Sequence, residues 1–314
     1  MSSGLRFNFH YPEPKGPAGD FLLAGAVGAV AACAESAGFD GVSLSDHPAP
    51  GRHWLERGGH QTLDPLVALA FAAATTRRLR LITHLIVGPY RRPLQLAKAA
   101  ATLDLLSNGR LVLGLGVGYM AEEYRALGVD YDERNVLFDE MLEVLPLHWS
   151  GEPFTSLGGS FDAVDVVARP TPCQRPIPIW IGGNSPLSRR RAATRAQGWM
   201  PMIGGPELAA HARTTSIATV AEAEVHIREV SAAADAAGRT AELDFMVPYV
   251  AGRDLLDDPH QHLDAFGRLA EAGMTWVTVS TPSVDRGATA RFIEGFGELY
   301  LFDPRAAESS VDRT

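Results

Sequence analysis

The stretch from residue 79 to residue 119 constrains the fold more than any other part of this 314-residue sequence. Residues 79–90 are strand-like, residues 93–106 have the composition of a helix, and residues 110–119 are again strand-like. About thirty residues separate the two strand starts, which is the size of a strand–helix–strand unit. The stretch therefore predicts two parallel strands joined by a crossover helix.

The second of these strands carries most of its glycine on one side. Side chains of a strand point alternately to its two faces, so Val112, Gly114, Gly116 and Gly118 share one face, opposite leucine and valine. Glycine inside a strand weakens it and often marks a close approach by a ligand or a backbone. We expect this face to be left bare for a flat ligand.

The same alternation of strand and helix continues along the chain. Eight strand-like segments alternate with eight helical ones, which predicts an α/β fold of the (β/α)8 TIM barrel type. We expect a single barrel domain over residues 1–304 and a polar tail over residues 305–314. Residues 149–175 are rich in Gly, Pro, Ser and Asp, so we expect an insertion there, between helix 4 and strand 5, as a hairpin or a lid.

A doubly wound sheet is the competing architecture. The run from Gly114 to Gly118 superficially resembles a dinucleotide-binding loop, but the third glycine of that motif falls on Tyr119. The barrel is therefore favoured.

Composition limits the classes of partner. The formal net charge is −9, and 46% of the residues are hydrophobic against 21% charged. A soluble globular protein is expected, without a nucleic-acid or membrane partner, because such partners are bound through basic patches. Cys33 and Cys173 are isolated in sequence, and the start of the chain lacks a secretion signal, so we expect a cytoplasmic protein.

Polar residues at the carboxyl ends of the strands are the candidate site residues, because barrel active sites lie there. Asp46 and His47 follow strand two, and His47 is a candidate for proton transfer or for donating a hydrogen bond to a bound ring. A loop-capping Asp–His pair is the alternative. His47, His53 and His60 lack the spacing of a zinc site, so no metal is expected.

Residues 182–185 follow strand five and lead directly into a helix. Free backbone amides and the helix dipole make such a turn suitable for a phosphate, and residues 189–191, all arginine, offer positive charge nearby. The alternative is an ordinary strand–helix turn beside a solvated arginine face. A bare face and a phosphate site together favour a tricyclic cofactor with a phosphorylated arm, either a flavin or a deazaflavin.

Several short motifs, in order and spacing, make the sequence similar to the bacterial luciferase-like family, over roughly residues 5–300. The closer resemblance is to the branch that uses the deazaflavin coenzyme F420. The motifs are Gly38-Phe39-Asp40 with Ser45-Asp46-His47, Asp64-Pro65-Leu66, Arg92-Pro93 through Leu103-Asp104, Ser107-Asn108-Gly109-Arg110, the run from Gly114 to Tyr119, the run from Glu123 to Gly128, and the run from Pro178 to Gly183.

The resemblance implies an oxidoreductase that binds F420, with FMN as the alternative cofactor. It also implies a homodimer formed through early helices such as residues 64–76 and 93–106, and a non-proline cis peptide at His84–Leu85. The resemblance implies His47 and Trp54 as catalytic residues, and Tyr119, just after strand four, is the third catalytic candidate. The expected cofactor-binding residues are Asp46, His47, Thr83, His84, Leu85, Gly114, Gly116, Gly118, Gly182, Gly183, Asn184 and Ser185.

One departure from the family bears on the substrate. Sugar-phosphate dehydrogenases of this family carry a glutamate just after strand four, where this chain has Tyr119, and Lys15 and Lys98 are its only lysines. We therefore expect a small apolar or aromatic substrate instead. The alternatives are a reduced-FMN monooxygenase on the same barrel, a metal-dependent barrel hydrolase and a flavin-binding protein without turnover.

Overall fold

The computed structural model of the chain describes residues 4–15, 19–250, 254–281, 283 and 285–302. The strands are β1 (Arg6–His10), β2 (Gly41–Leu44), β3 (Arg80–Thr83), β4 (Ile86–Val87), β5 (Leu111–Gly116), β6 (Phe154–Ser156), β7 (Ala163–Val166), β8 (Ile179–Gly182), β9 (Gly198–Met200), β10 (Asp244–Pro248) and β11 (Trp276–Val279). The α-helices are α1 (Ala26–Ser36), α2 (Arg52–Glu56), α3 (Pro65–Thr75), α4 (Pro93–Leu106), α5 (Ala121–Ala126), α6 (Arg134–Ser150), α7 (Pro186–Arg195), α8 (Pro206–His211), α9 (Val220–Ala236), α10 (Pro259–Glu271) and α11 (Arg286–Phe296). Short 3₁₀ turns cover Asp20–Leu22 and Gly88–Tyr90, and a π-helical turn covers Gly297–Leu301.

Parallel strands close into a barrel. Their order is β3-β2-β1-β11-β10-β9-β8-β5, and pairing between β3 and β5 completes the ring. β4 continues the line of β3 beyond a short break and pairs with the end of β5. The predicted (β/α)8 TIM barrel is confirmed. The domain boundaries stay a prediction, and the proposed polar tail at residues 305–314 lies outside the described residues.

The predicted start of α3 shows why local sequence determines this architecture well. The Oδ1 atom of Asp64 accepts hydrogen bonds from Leu66 N at 3.0 Å and Val67 N at 3.1 Å. Pro65 occupies the first helical position, where a missing N–H costs nothing. The cap therefore fixes where the chain leaves the loop after β2.

Two apolar layers hold the barrel together. Leucines on one face of β5, such as Leu111, Leu113 and Leu115, belong to the large core between the strands and the helices. A second cluster lies inside the barrel, and its side chains come from alternate positions of successive strands. Its members are Ile82, Val112, Trp180, Met200, Met246 and Trp276, with Leu85 packed against them.

The insertion between α6 and β8 forms a two-stranded antiparallel hairpin, β6–β7. Ser160 N donates to Glu140 Oε1 at 2.8 Å, and Lys98 Nζ donates to Arg169 O, so the insertion contacts α6 and α4. These helices form the outer layer of the barrel. The structure therefore favours the hairpin over the lid.

Within the described ranges, no helix combines the length and apolar character that crossing a membrane requires.

Candidate active site

A bulge separates β3 from β4 at the carboxyl end of the barrel. The peptide bond His84–Leu85 is cis, which confirms the expectation from the family resemblance. Thr83 Oγ1 donates to Gly114 O at 2.8 Å and fastens the bulge to β5. Burial lowers the pKa of His84 to about 3, so this imidazole is neutral near pH 7.

The expectation that the glycine face of β5 is bare is wrong. A Cβ atom at Gly116 would lie 2.7 Å from Leu85 Cδ1, one at Gly182 would overlap Leu85 Cδ2, and one at Gly118 would lie 2.6 Å from Val87 Cγ1. The Thr83 carbonyl oxygen fills the corresponding space at Gly114. Glycine is required at these positions because Thr83, Leu85 and Val87 occupy that face of β5.

Leu85 consequently forms the apolar surface at this end of the barrel. Its side chain spans Gly116 of β5 and Gly182 of β8, and it remains partly exposed. The flat surface that the sequence predicted is therefore provided by a leucine lying over two glycines, and not by the glycines themselves.

The Asp46 carboxylate is bonded to two neighbouring residues, Arg91 and Val87. Its buried carboxylate pairs with both terminal nitrogens of Arg91 and accepts a hydrogen bond from Val87 N at 3.2 Å. Arg91 also reaches Asp64 Oδ2 at 3.0 Å. This bidentate geometry is the strong form of an Arg–carboxylate contact. Asp46 thus joins the loop after β2 to β4 and to Arg91, and its expected contact with the cofactor stays a prediction.

His47 contacts a glutamate that the sequence did not single out as a site residue. His47 Nδ1 lies 3.4 Å from Glu123 Oε2, and Glu123 Oε1 accepts from Ala49 N at 3.2 Å. Glu123 is 1% exposed on α5. The Trp54 ring lies 4.6 Å from the His47 ring, between centroids. The structure therefore brings two of the three predicted catalytic residues together.

Two tyrosines lie near Glu123. Tyr90 Oη donates to Glu123 Oε2 at 3.1 Å, and burial together with this carboxylate raises the pKa of Tyr90. Burial, followed by Glu123, also raises the pKa of Tyr119, whose ring lies 5.6 Å from the His211 ring. Both phenols stay protonated near neutral pH, so Tyr119 can donate a hydrogen bond but is a poor acid.

A second buried glutamate organises the other side of the mouth. Glu13 Oε2 lies 3.2 Å from His10 Nε2 and 3.0 Å from His60 Nε2, and Glu13 Oε1 accepts from Ser45 N at 2.7 Å. Burial alone would raise the pKa of Glu13, but the two imidazoles outweigh it and hold that pKa well below its ordinary range. Sequence reasoning missed Glu13 because two of its partners, Ser45 and His60, lie far along the chain.

The turn after β8 differs in part from the predicted phosphate site. Asn184 Nδ2 donates to Met202 O at 2.7 Å and to Thr215 O at 2.9 Å, and Asn184 N donates to Thr214 Oγ1 at 2.9 Å. Asn184 therefore has a structural role in this turn, and its expected contact with a phosphate stays a prediction. Ser185 caps α7 by accepting from Ser188 N at 3.1 Å.

The arginines of α7 do not converge on this turn. Arg191 is buried and pairs with Asp139 Oδ2 at 2.8 Å, on α6. Arg189 stays at the turn and donates to Asn184 O at 2.7 Å. Gly183 adopts a φ of +96°, which favours glycine at this position. The start of α7 remains available to an anion, and Arg189 lies beside it with Nη2 3.8 Å from Glu229 Oε2.

Among the described residues, no three His, Cys, Asp or Glu side chains are grouped so as to hold a metal ion.

Comparison with known proteins identifies the family. Residues 23–254 match the model of the luciferase-like monooxygenase family. The chain belongs to this family. Membership makes it a luciferase-like oxidoreductase, in agreement with the resemblance found in the sequence.

Three similar proteins illustrate the range of the family. An uncharacterized protein of Mycobacterium tuberculosis is 31% identical over 57% of this chain, and the match spans 65% of that relative's length. An F420-dependent glucose-6-phosphate dehydrogenase of Beutenbergia cavernae is 29% identical over 88% of this chain and 93% of its own. The crystal structure of monooxygenase RslO1 from Streptomyces bottropensis superposes with a TM-score of 0.75 at 24% identity, covering 95% of this chain and 99% of its own.

Proposed function

We propose that the protein is an F420-dependent oxidoreductase that transfers a hydride to or from a small apolar or aromatic organic substrate. Family membership and the F420-dependent relative support the reaction class. The observation that carries the proposal is the His47–Glu123 contact, with Trp54 against the same imidazole. It puts a group able to exchange protons beside an apolar surface at the mouth of the barrel.

The residues present fit a deazaflavin with a phosphorylated arm. Leu85 offers an apolar surface that is partly exposed and supported from below by Gly116 and Gly182. The start of α7 and Arg189 lie at the end of the neighbouring strand, where the helix dipole and one positive charge favour an anion. These features would hold a ring and its phosphate arm.

The chemistry divides between cofactor and protein. F420 exchanges a hydride at its C5 atom when bound, and the protein supplies orientation and proton transfer. Because Glu123 bonds His47 through Nδ1, the nitrogen left to exchange a proton with substrate is Nε2. The Trp54 ring, 4.6 Å from the His47 ring, supports an apolar or aromatic substrate.

Titration of the apo-protein with F420 and, separately, with FMN tests the cofactor. We expect micromolar F420 binding that His47→Gln weakens, whereas His53→Gln, an exposed histidine on α2, leaves it unchanged. Micromolar FMN binding without F420 binding would overturn the choice of cofactor and favour a reduced-FMN monooxygenase. The fold of RslO1 makes that monooxygenase the second candidate.

We also propose that the protein forms a homodimer through α3. Val67 and Phe71 are one helical turn apart and are 62% and 59% exposed. A second copy of this chain would bury them. Light scattering should give twice the chain mass for the native protein and the single chain mass for Phe71→Glu. A monomeric native protein would refute the proposal. The cytoplasmic location stays a prediction.

A further inference from the structure

The loop between β2 and α3 brings a second histidine to the mouth of the barrel. The ring centroid of His60 lies 5.1 Å from that of His47 and 5.2 Å from that of Trp54. His47 and Trp54 are themselves 4.6 Å apart. We call His47, Trp54 and His60 the ring cluster. His60 thus occupies the same small region as the histidine already assigned to the site.

Each imidazole of the ring cluster has its own buried carboxylate. His47 contacts Glu123 through Nδ1 at 3.4 Å, and His60 contacts Glu13 through Nε2 at 3.0 Å. The side chains of Glu123 and Glu13 are 1% and 7% exposed, whereas those of His47 and His60 are 12% and 26% exposed. In both pairs, the carboxylate lies inside and the imidazole lies nearer to solvent.

Further hydrogen bonds fix the His60 pair. Ser45 Oγ lies 3.1 Å from His60 Nε2, and Glu13 also contacts His10, whose Nδ1 lies 3.0 Å from Ser43 Oγ. Glu13 is therefore held between two imidazoles and several neutral groups. Such a buried, hydrogen-bonded carboxylate orients the ring and stabilises the charge that the ring acquires on taking a proton.

The two rings use opposite nitrogens for their carboxylates. His47 contacts its carboxylate through Nδ1, which leaves Nε2 for a substrate, whereas His60 contacts its carboxylate through Nε2, which leaves Nδ1. Tyr90 and Tyr119 hold their protons near neutral pH because burial raises both pKa values. The histidines are therefore the groups of this region that can take up and release a proton.

We infer that His60 is a second proton-transfer residue of this site, and that the substrate presents a hydroxyl or carbonyl oxygen to the ring cluster. The inference rests on the proposed function. In oxidation of an alcohol, the C–H hydride goes to the oxidised deazaflavin and the O–H proton goes to an imidazole nitrogen. A C=O bond forms, and the new imidazolium faces its own glutamate. Reduction of the carbonyl reverses these steps.

The first test reads the ring nitrogens in the cofactor-free protein by ¹⁵N NMR of histidine. We expect the proton on Nε2 in His60 and on Nδ1 in His47. Glu13→Gln should remove the preference of His60 for one nitrogen and leave that of His47 unchanged, and Glu123→Gln should do the reverse. A neutral His60 with its proton on Nδ1 would overturn the inference whatever the cofactor.

The second test uses diethyl pyrocarbonate, which acylates accessible unprotonated imidazole nitrogens, with rates measured for each residue by mass spectrometry. Saturating F420 should slow acylation of His47 and His60 at least fivefold and leave His53 unchanged. Protection of His47 without protection of His60 places His60 outside the site and leaves the proposed function intact. If F420 does not bind, the proposed function fails and the role of His60 fails with it.

The third test measures turnover with a panel of secondary alcohols and the matching ketones. Positioned proton transfer contributes about 10²–10⁴-fold to a rate. Because His47 remains, we expect His60→Gln to lower kcat at least tenfold with KM within threefold of the native value, whereas His53→Gln changes neither. Unchanged kcat in His60→Gln refutes the proton-transfer role. Absence of turnover by the native protein, despite F420 binding, refutes the substrate class.

Discussion

Gly116→Ala should destabilise the protein and disturb the apolar surface at the barrel mouth. The new Cβ atom would lie 2.7 Å from Leu85 Cδ1 and 3.1 Å from Leu85 Cδ2, so both methyl groups must move by several tenths of an ångström. Leu85 cannot turn towards β8, because its Cδ2 atom already fills the space above Gly182. Overpacking of this kind costs about 1–3 kcal/mol, and we expect a loss in that range.

Urea unfolding, with F420 titration on the same samples, provides the assay. Leu85→Ala alone should cost roughly 1–2 kcal/mol, below the 2–5 kcal/mol of a fully buried leucine, because Leu85 is partly exposed. The double variant Gly116→Ala/Leu85→Ala should be no less stable than Leu85→Ala alone. The coupling energy between the two substitutions would then be at least about 1 kcal/mol. Additive losses, or a loss below about 0.5 kcal/mol in Gly116→Ala, would refute this account of the glycine face.

Three further predictions follow from buried charges and backbone freedom. Glu13→Gln should reduce the loss of stability between about pH 5 and pH 3. The low pKa of Glu13 in the folded state stabilises the protein above the ordinary carboxyl range, and this contribution is lost on acidification. Urea unfolding across this pH range measures the difference. Asp46→Asn should cost about 3–5 kcal/mol in urea unfolding at pH 7, since it leaves Arg91 without its buried partner. Gly267 lies inside α10, and a Cβ atom there would meet open space. Gly267→Ala should therefore raise the free energy of unfolding by about 0.5–1 kcal/mol. An unchanged melting curve would contradict this prediction.

The barrel could be predicted from the sequence because its signals are local. Asp64 caps α3 through its own neighbours, and α4 begins at Pro93 and ends at Leu106 as expected. The cis bond at His84–Leu85 came from the family resemblance, and the structure contains it.

The interior of the site could not be predicted in the same way. Glycine in β5 indicated a close approach, but nothing local specified that Leu85 would make it. Nothing near Asp46 in the sequence indicated its pairing with Arg91, which lies 45 residues away along the chain. Glu13 and His60 are 47 positions apart, and only closure of the barrel brings them together. Such contacts depend on tertiary packing, on which periodicity carries no information.

The guanidinium of Arg91 connects two segments of the chain, the loop after β2 and the start of α3. The Arg91 side chain pairs with Asp46, the residue before His47, and with Asp64, the cap of α3. Helix α3 also exposes Val67 and Phe71. Neither segment can shift alone without breaking a charged contact. If the protein forms the proposed dimer through α3, Arg91 would couple subunit association to the position of His47, and loss of either ion pair would affect both segments.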